Sequence, residues 1–330
     1  MSSKNEVARS GHRRVSGEIS VGVVICAYSS DRRKQLVEAV LSVRDQTQPP
    51  DDVIVVIDNN DSLLACAKVA LAPVRVVASE GPPGLAGARN TGLRQLGTDI
   101  VAFIDDDACA DRDWLRVLTS AFRAESVIGV GGWVEPRWES LEPRWLAPEL
   151  YWVAGCSYRG LPANDQTLRN PIGANMAFRR DALLALGGFT EDIGQRPGTE
   201  LRDDDTDLGI RLHALFPDGR LLHITGARVQ HAVPAERVTW RYLVRRCWGE
   251  GRAKAQLASR YGDAFALASE RSYVARVLPA GIAGGALDAA RRDPAGLARA
   301  ASIIVALMLT AAGYGFGQLH SRQDRAQART

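Results

Sequence analysis

Short apolar runs alternate with amphipathic stretches along the first two hundred residues. The runs are Val21–Ala27, Val53–Ile57, Val74–Val77 and Ile100–Ile104. Between them, Asp31–Val43 sets Leu36, Val40 and Val43 at helical spacing, a second helical pattern runs through Val69, and Ala86–Leu96 reads as a third helix. Strand–helix alternation with apolar strands predicts an α/β fold, a mostly parallel central sheet covered by helices on both faces. In such sheets ligands bind beyond the carboxyl ends of the strands. Three polar clusters fall at those ends: Tyr28-Ser29-Ser30-Asp31, Asp58-Asn59-Asn60-Asp61 and Asp105-Asp106-Asp107.

Past Asp107 the pattern loosens. Asp113–Phe122 reads as a helix, Val127–Val134 as a strand, and 135–170 as an irregular wall rich in Pro, Trp, Tyr and Arg. A strand over Gly173–Phe178 and helices over Asp181–Leu186 and Asp204–Leu215 follow. From Val238 the chain reads as helical, with breaks expected at Pro279 and Pro294.

Composition narrows the function classes. With 41 basic against 38 acidic side chains the net charge is only +3, too small to imply nucleic acid as a partner. The arginines gather in the C-terminal third, which suits a solvated helical face, a phosphate-bearing ligand or an anionic membrane surface. Five scattered cysteines without zinc or redox spacing read as thiols in a reducing compartment. The polar segment 1–19 has no apolar core for a secretory leader and is expected to be disordered, so a cytoplasmic protein is expected. The uncharged run 300–317 is slightly short for a membrane span; it could cross a bilayer, lie on one, or pack against Val277–Ala290 as a hairpin.

The acidic clusters carry the chemistry. Three consecutive aspartates closing an apolar strand repel one another unless a cation offsets them, and hard divalent ions bridge such carboxylates to substrate phosphates. A strand-end turn would explain one aspartate but not three. The second cluster, Asp203-Asp204-Asp205-Thr206-Asp207, precedes a helix; its acids exceed what an N-cap needs, and one could act as a general base. Gly81–Gly92 is rich in small residues that let backbone approach a ligand, and its Arg89 could pair with a phosphate. His231 alone reads as structural more readily than as a ligand.

Taken in order, these segments resemble glycosyltransferase family 2, with the GT-A fold, in the form typical of actinobacterial members. The resemblance covers Val21 to about His231. It rests on VVICAY at 23–28, VIVVIDNN at 53–60, GLAGARNTG at 84–92, VAFIDDD at 101–107, GANMAFRR at 173–180, GGF at 187–189 and DDTDLGIR at 204–211.

The resemblance implies a GT-A unit over 20–236, with a nucleotide-binding half at 20–110 and an acceptor half at 111–236, followed by a helical region at 237–330. It places Ala27, Tyr28 and Asp31 at the nucleoside, Asp58 on the base and Arg89 near the ribose or diphosphate. Asp105 and Asp106 would face the nucleotide. Asp107, with His231, would hold Mg²⁺ or Mn²⁺. Asp205 matches the catalytic base and Asp204 replaces a usual glutamate, leaving the choice between them open. Gly173, Ala174 and Asn175 would border donor sugar and acceptor.

The implied reaction is inverting transfer of one sugar from a nucleoside-diphosphate sugar, UDP favoured, to a glycan, lipid-linked or small-molecule hydroxyl. The alternatives are a nucleotidyltransferase that makes the nucleotide sugar, a processive polysaccharide synthase, or a non-catalytic sugar-nucleotide binder. Ala27–Arg33 lacks the glycine- and arginine-rich loop of the first, the apolar spans are too few for the second, and the acids at 203–207 disfavour the third. Peripheral attachment to the inner face of the cell membrane remains compatible with the 300–317 run.

Overall fold

The computed structural model describes residues 19–192, 204–262 and 268–327. The segment 1–18, expected to be disordered, lies outside the described residues, as does Asp203.

The four apolar runs form β1 (Val21–Ala27), β2 (Asp52–Ile57), β3 (Arg75–Ala78) and β4 (Ile100–Asp105). Between them lie α1 (Arg33–Arg44), α2 (Asp61–Ala70) and α3 (Leu85–Gln95). Strands β5 (Ala108–Ala110), β6 (Val127–Trp138), β7 (Asn175–Arg179) and β8 (Arg220–Val233) complete one sheet, ordered β3-β2-β1-β4-β7-β6-β8-β5. The first four strands are parallel. β7 then runs antiparallel to both β4 and β6, while β6 and β8 are parallel.

Side chains on successive strand residues point to opposite faces, so one strand feeds two cores. Val23, Ile25, Val55 and Ile57 pack with Leu36 and Val40 of α1 and with Trp114 and Leu118 of α4 (Trp114–Ser120). Val24, Ile54 and Val56 pack instead with Leu93 of α3, Leu183 of α5 (Arg180–Leu186), and Leu208 and Leu212 of α6 (Asp204–Leu215). Cys26 lies opposite both Val56 and Asp105 in register, so three strands end together at one rim.

The segment 135–170 is less irregular than its composition suggests. β6 continues to Trp138, and a 3₁₀ helix spans Pro148–Ala154. The long β8 was not legible as a strand. Its outward positions Arg228 and Gln230 break an apolar run, although they alternate with buried Ala227, Val229 and His231.

The C-terminal region folds back over the rim through α7 (Trp240–Tyr261), α8 (Ala268–Ser272), α9 (Leu278–Ala290) and α10 (Ala295–Gln327). Pro294 precedes α10, but Pro279 does not break the chain as expected. It sits in the first turn of α9, after a π-helical turn at Tyr273–Val277. The Leu278 amide there donates to the Tyr273 carbonyl, an i→i+5 spacing that accommodates the missing proline donor. α10 packs antiparallel on α9 and lies so close to α7 that a Cβ on Gly251 would stand 2.1 Å from the Thr310 carbonyl. Ala295–His320 is long and apolar enough to cross a membrane by length and composition, and 28% of its most apolar window is buried.

Candidate active site

The strand rim opens into a cleft of about 1110 Å³. Ala27 and Tyr28 after β1, Asp58 after β2 and Asp105–Asp107 after β4 line one side. Gly173 and Ala174 before β7, Asp204 and Asp205 at the start of α6, and His231 of β8 line the rest. Residues more than a hundred positions apart meet because every contributing segment ends or begins at the same edge of the sheet.

Arg89 is the hinge pin of the site. Its side chain is 3% exposed; Nη1 stands 2.6 Å from Asp204 Oδ2 and Nη2 3.5 Å from Asp105 Oδ1. Nη2 also donates to the Gly173 carbonyl at 3.1 Å. A Cβ at Gly173 would lie 2.7 Å from that nitrogen, so the backbone can approach only without a side chain. Burial pushes the Asp204 carboxyl up while Arg89 opposes it, and the short contact identifies an ion pair. The two acidic clusters therefore share one guanidinium and one cleft.

The triplet has three different environments. Burial and then Asp107 push Asp106 up to about 7, although Arg32 pulls the other way. Arg32 Nη1 stands 3.2 Å from Asp106 Oδ1 and 3.0 Å from Asp107 Oδ2. Burial would also raise Asp107, but the cationic groups His231, Arg32 and Arg237 hold it well below the usual carboxylate range. His231 is held up at about 10: burial would lower it, and the Asp107 carboxylate overcomes that.

A metal ion fits this site. Asp105, Asp107 and His231 each bring one ligand atom within 4.8 Å of the others. His231 Nε2 stands 3.2 Å from Asp107 Oδ1, and that buried oxygen has no other hydrogen-bond partner among the described residues. Two carboxylates and an imidazole, with positions left for phosphate and water, suit a divalent ion.

Asp205 differs from its neighbour. Burial and then Asp204 push it up to about 6, against the pull of Lys254 and Arg89. Its Oδ1 accepts from the Thr206 amide at 2.7 Å, and the side chain lines the cleft. On the opposite side Asp58 Oδ2 accepts from the Gly84 amide at 2.9 Å, holding the turn into α3, where Gly84 has φ +136°.

Two anticipated residues stand elsewhere. Asp31 is exposed, does not line the cleft and sits in a turn hydrogen-bonded to Ser29. Asn175 is fully buried: it accepts from the Trp114 indole at 2.8 Å and donates to the carbonyls of Trp133 and Ala227. Its role is to tie β7 to β6 and β8 beneath the cleft. Sequence reasoning missed Arg32, one residue beyond the first polar cluster, and Lys254, which no local signal links to Asp205. The helical C-terminus, expected from the sequence to help shape the acceptor site, contributes Arg246, Tyr273 and Leu307 to the lining of the same cleft.

Residues 22–187 match the family described as Glycosyl transferase family 2. The chain belongs to that family. A glucosyl-dolichyl phosphate glucuronosyltransferase from Haloferax volcanii is 29% identical over 251 residues, 74% of this chain and 80% of that protein. A pre-mycofactocin glycosyltransferase from Mycobacterium tuberculosis is 30% identical over 237 residues, 70% of this chain but only 44% of the longer relative. Among solved structures, the mannosyltransferase PcManGT from Pyrobaculum calidifontis, in complex with GDP-Man and Mn²⁺, superposes with a TM-score of 0.58 at 20% identity, covering 89% of this chain and 88% of that one. GalNAc-T7 with UDP, GalNAc and Mn²⁺ gives 0.52 at 15% identity over 80% of this chain and 57% of its own. These likenesses establish the GT-A fold, and family 2 membership makes the protein a glycosyltransferase that uses a nucleotide sugar.

Proposed function

We propose that this family 2 enzyme is an inverting, metal-dependent transferase that moves one sugar from a nucleoside-diphosphate sugar to an acceptor hydroxyl. The observation that carries the reading is Arg89 paired to both Asp204 and Asp105, which ties the acidic segment carrying Asp205 to a candidate metal site in one cleft. In this reading 20–236 is the catalytic unit and 237–330 a helical wall.

The nucleoside lies against Ala27 and Tyr28 with Asp58 on the base, and a uridine diphosphate is the favoured donor. Asp105, Asp107 and His231 hold Mg²⁺ or Mn²⁺, which when bound supplies positive charge to the leaving diphosphate. Arg89 orients Asp204 and fixes the Gly173 backbone beside the donor sugar. Asp205 takes the proton from the acceptor hydroxyl as its oxygen forms the new bond to the anomeric carbon. The bond from that carbon to the diphosphate oxygen breaks, and its electron pair leaves with the nucleoside diphosphate. Asp205 suits the task better than Asp204, because Asp204 is committed to Arg89 and a base near 6 is ionised at neutral pH yet stronger than an ordinary aspartate.

The protein also rests on the inner face of the cell membrane in this reading. α10 exposes Ile304, Met308, Phe316 and Leu319, and the turn before it exposes Arg291 and Arg292. The test of the reaction is product analysis with a panel of nucleotide sugars and Mn²⁺. Release of nucleoside diphosphate with a transferred sugar is expected; pyrophosphate release from nucleoside triphosphate and sugar phosphate would overturn it.

A further inference from the structure

The helix that carries Asp205 into the cleft is anchored on its other side. Successive residues of an α-helix turn by about 100°, so Asp207 stands about 200° from Asp205, on the far face of α6. Asp207 is fully buried, with its side chain 0% exposed, and its two oxygens hold different parts of the molecule. Oδ2 accepts from the Thr190 hydroxyl at 2.6 Å and stands 3.1 Å from Arg211 Nη1, one turn along the helix. Arg211 Nη2 donates in turn to the carbonyls of Leu186 and Gly188, at 3.1 Å and 2.6 Å. Those bonds fasten α6 to the segment that follows α5. Oδ1 accepts instead from the Tyr261 hydroxyl at 2.5 Å.

Tyr261 belongs to the C-terminal region. It is the last residue of α7, which Gly262 ends at φ +85°. Its side chain packs on Leu257 and Ala258, against which Tyr314 of α10 also lies. Burial and then the bond to Asp207 push its hydroxyl up to about 12, so at neutral pH the phenol keeps its proton and donates. A hydrogen bond to an ionised acceptor is roughly twice as strong as one between neutral groups. Neither Tyr261 nor Asp207 lines the cleft, so neither is placed to touch substrate. The C-terminal helices therefore do more than wall the cleft: they hold the back of the helix whose front carries the proposed base.

We propose that Tyr261 is a positioning residue for sugar transfer, setting through Asp207 how far the first turn of α6 carries Asp205 toward the attacking hydroxyl. The inference rests on Asp205 as the base. Tyr261→Phe keeps the ring and removes one bond to Asp207, while those from Thr190 and Arg211 remain. A misplacement of about 1 Å costs a reacting group roughly 10²-fold in rate, so a partial loosening is expected to cost about tenfold.

The test is a double-mutant cycle, with Tyr261→Phe made in the wild-type chain and in Asp205→Asn. The assay is nucleoside diphosphate release from a mixture of UDP-glucose, UDP-galactose, UDP-N-acetylglucosamine and GDP-mannose with Mn²⁺, water serving as the acceptor hydroxyl. In the wild-type chain the substitution should slow release about tenfold and leave the calorimetric affinity for UDP with Mn²⁺ unchanged. In Asp205→Asn it should slow the residual release by less than about twofold, because the group it positions is gone. An equal loss in both backgrounds would show that Tyr261 does not act through Asp205 and would overturn the inference. Wild-type release from Tyr261→Phe, with Asp205→Asn still slow, would overturn it too and leave the base standing. Absence of release from the wild-type chain, or wild-type release from Asp205→Asn, would instead remove the reading on which the inference rests, and the inference with it. Thr190→Val takes a donor from the other oxygen of Asp207. It should give the same pattern, and it decides the question if Tyr261→Phe does not fold.

Discussion

Replacing Arg89 with leucine removes one partner of a pair whose side chains are 3% and 6% exposed. A buried carboxylate left without its cation costs about 3–5 kcal/mol. At about 2–3 °C per kcal/mol for a chain of this size, the melting temperature should fall by roughly 6–15 °C. The companion variant is Arg89→Leu with Asp204→Asn, which removes the stranded charge along with its partner and should recover most of the loss. Both are expected to lack transferase activity, because neither can hold Gly173 and Asp105 in place. The assay is thermal unfolding by circular dichroism, analysed as a double-mutant cycle. The pH dependence has a fixed sign. Asp204 stranded in the single variant has a folded-state pKa raised above its unfolded value, so the folded state binds more protons and its stability falls as pH rises. The gap between single and double variants should therefore narrow as pH falls. Equal melting temperatures for the two at neutral pH would show that Asp204 is uncharged in the cleft, and the ion-pair argument would fail.

Three further outcomes follow from the same geometry. If Asp205 is the base, turnover at saturating donor should show an acidic limb near 6, not near the ordinary aspartate value, because the carboxyl must be ionised to accept a proton. Asp205→Asn should lower turnover by ~10²–10⁴-fold while retaining donor binding, and wild-type turnover would reassign the base. Gly173→Ala places a methyl 2.7 Å from Arg89 Nη2 and should displace the guanidinium from Asp105 at a cost of about 1–3 kcal/mol, with turnover falling at least tenfold. A fully active Gly173→Ala enzyme would show that this close approach is dispensable.

The nucleotide half of the fold was legible because its strands are continuous apolar runs and its polar residues sit where those runs stop. The start of α6 at Asp204 was readable for the same reason, an acidic cluster before a helical pattern. Less of the second half could be read. β8 carries polar residues on alternate positions because one of its faces is partly open, so hydropathy alone did not mark it. Pro279 misled because a π turn can absorb a proline that an α-helix would not. Within the site, Asp105, Asp107 and His231 converge although β4 and β8 lie far apart in sequence. The link is β5, which pairs Ala108 directly with His231. Arg32 and Lys254 were invisible for the converse reason: nothing local distinguishes them from surface cations on amphipathic helices. Asn175 sits beside the cleft in sequence but under it in space, because a side chain at the start of β7 points away from the rim.

The proposed transfer depends on a cation shared between Asp105, Asp107 and His231 and the donor diphosphate. Calorimetric titration of UDP into the wild-type protein with and without Mn²⁺, repeated on Asp107→Ala, tests that directly. Binding at least tenfold tighter with Mn²⁺, and loss of that difference in Asp107→Ala, is the predicted result. Equal affinity in all four titrations would contradict it.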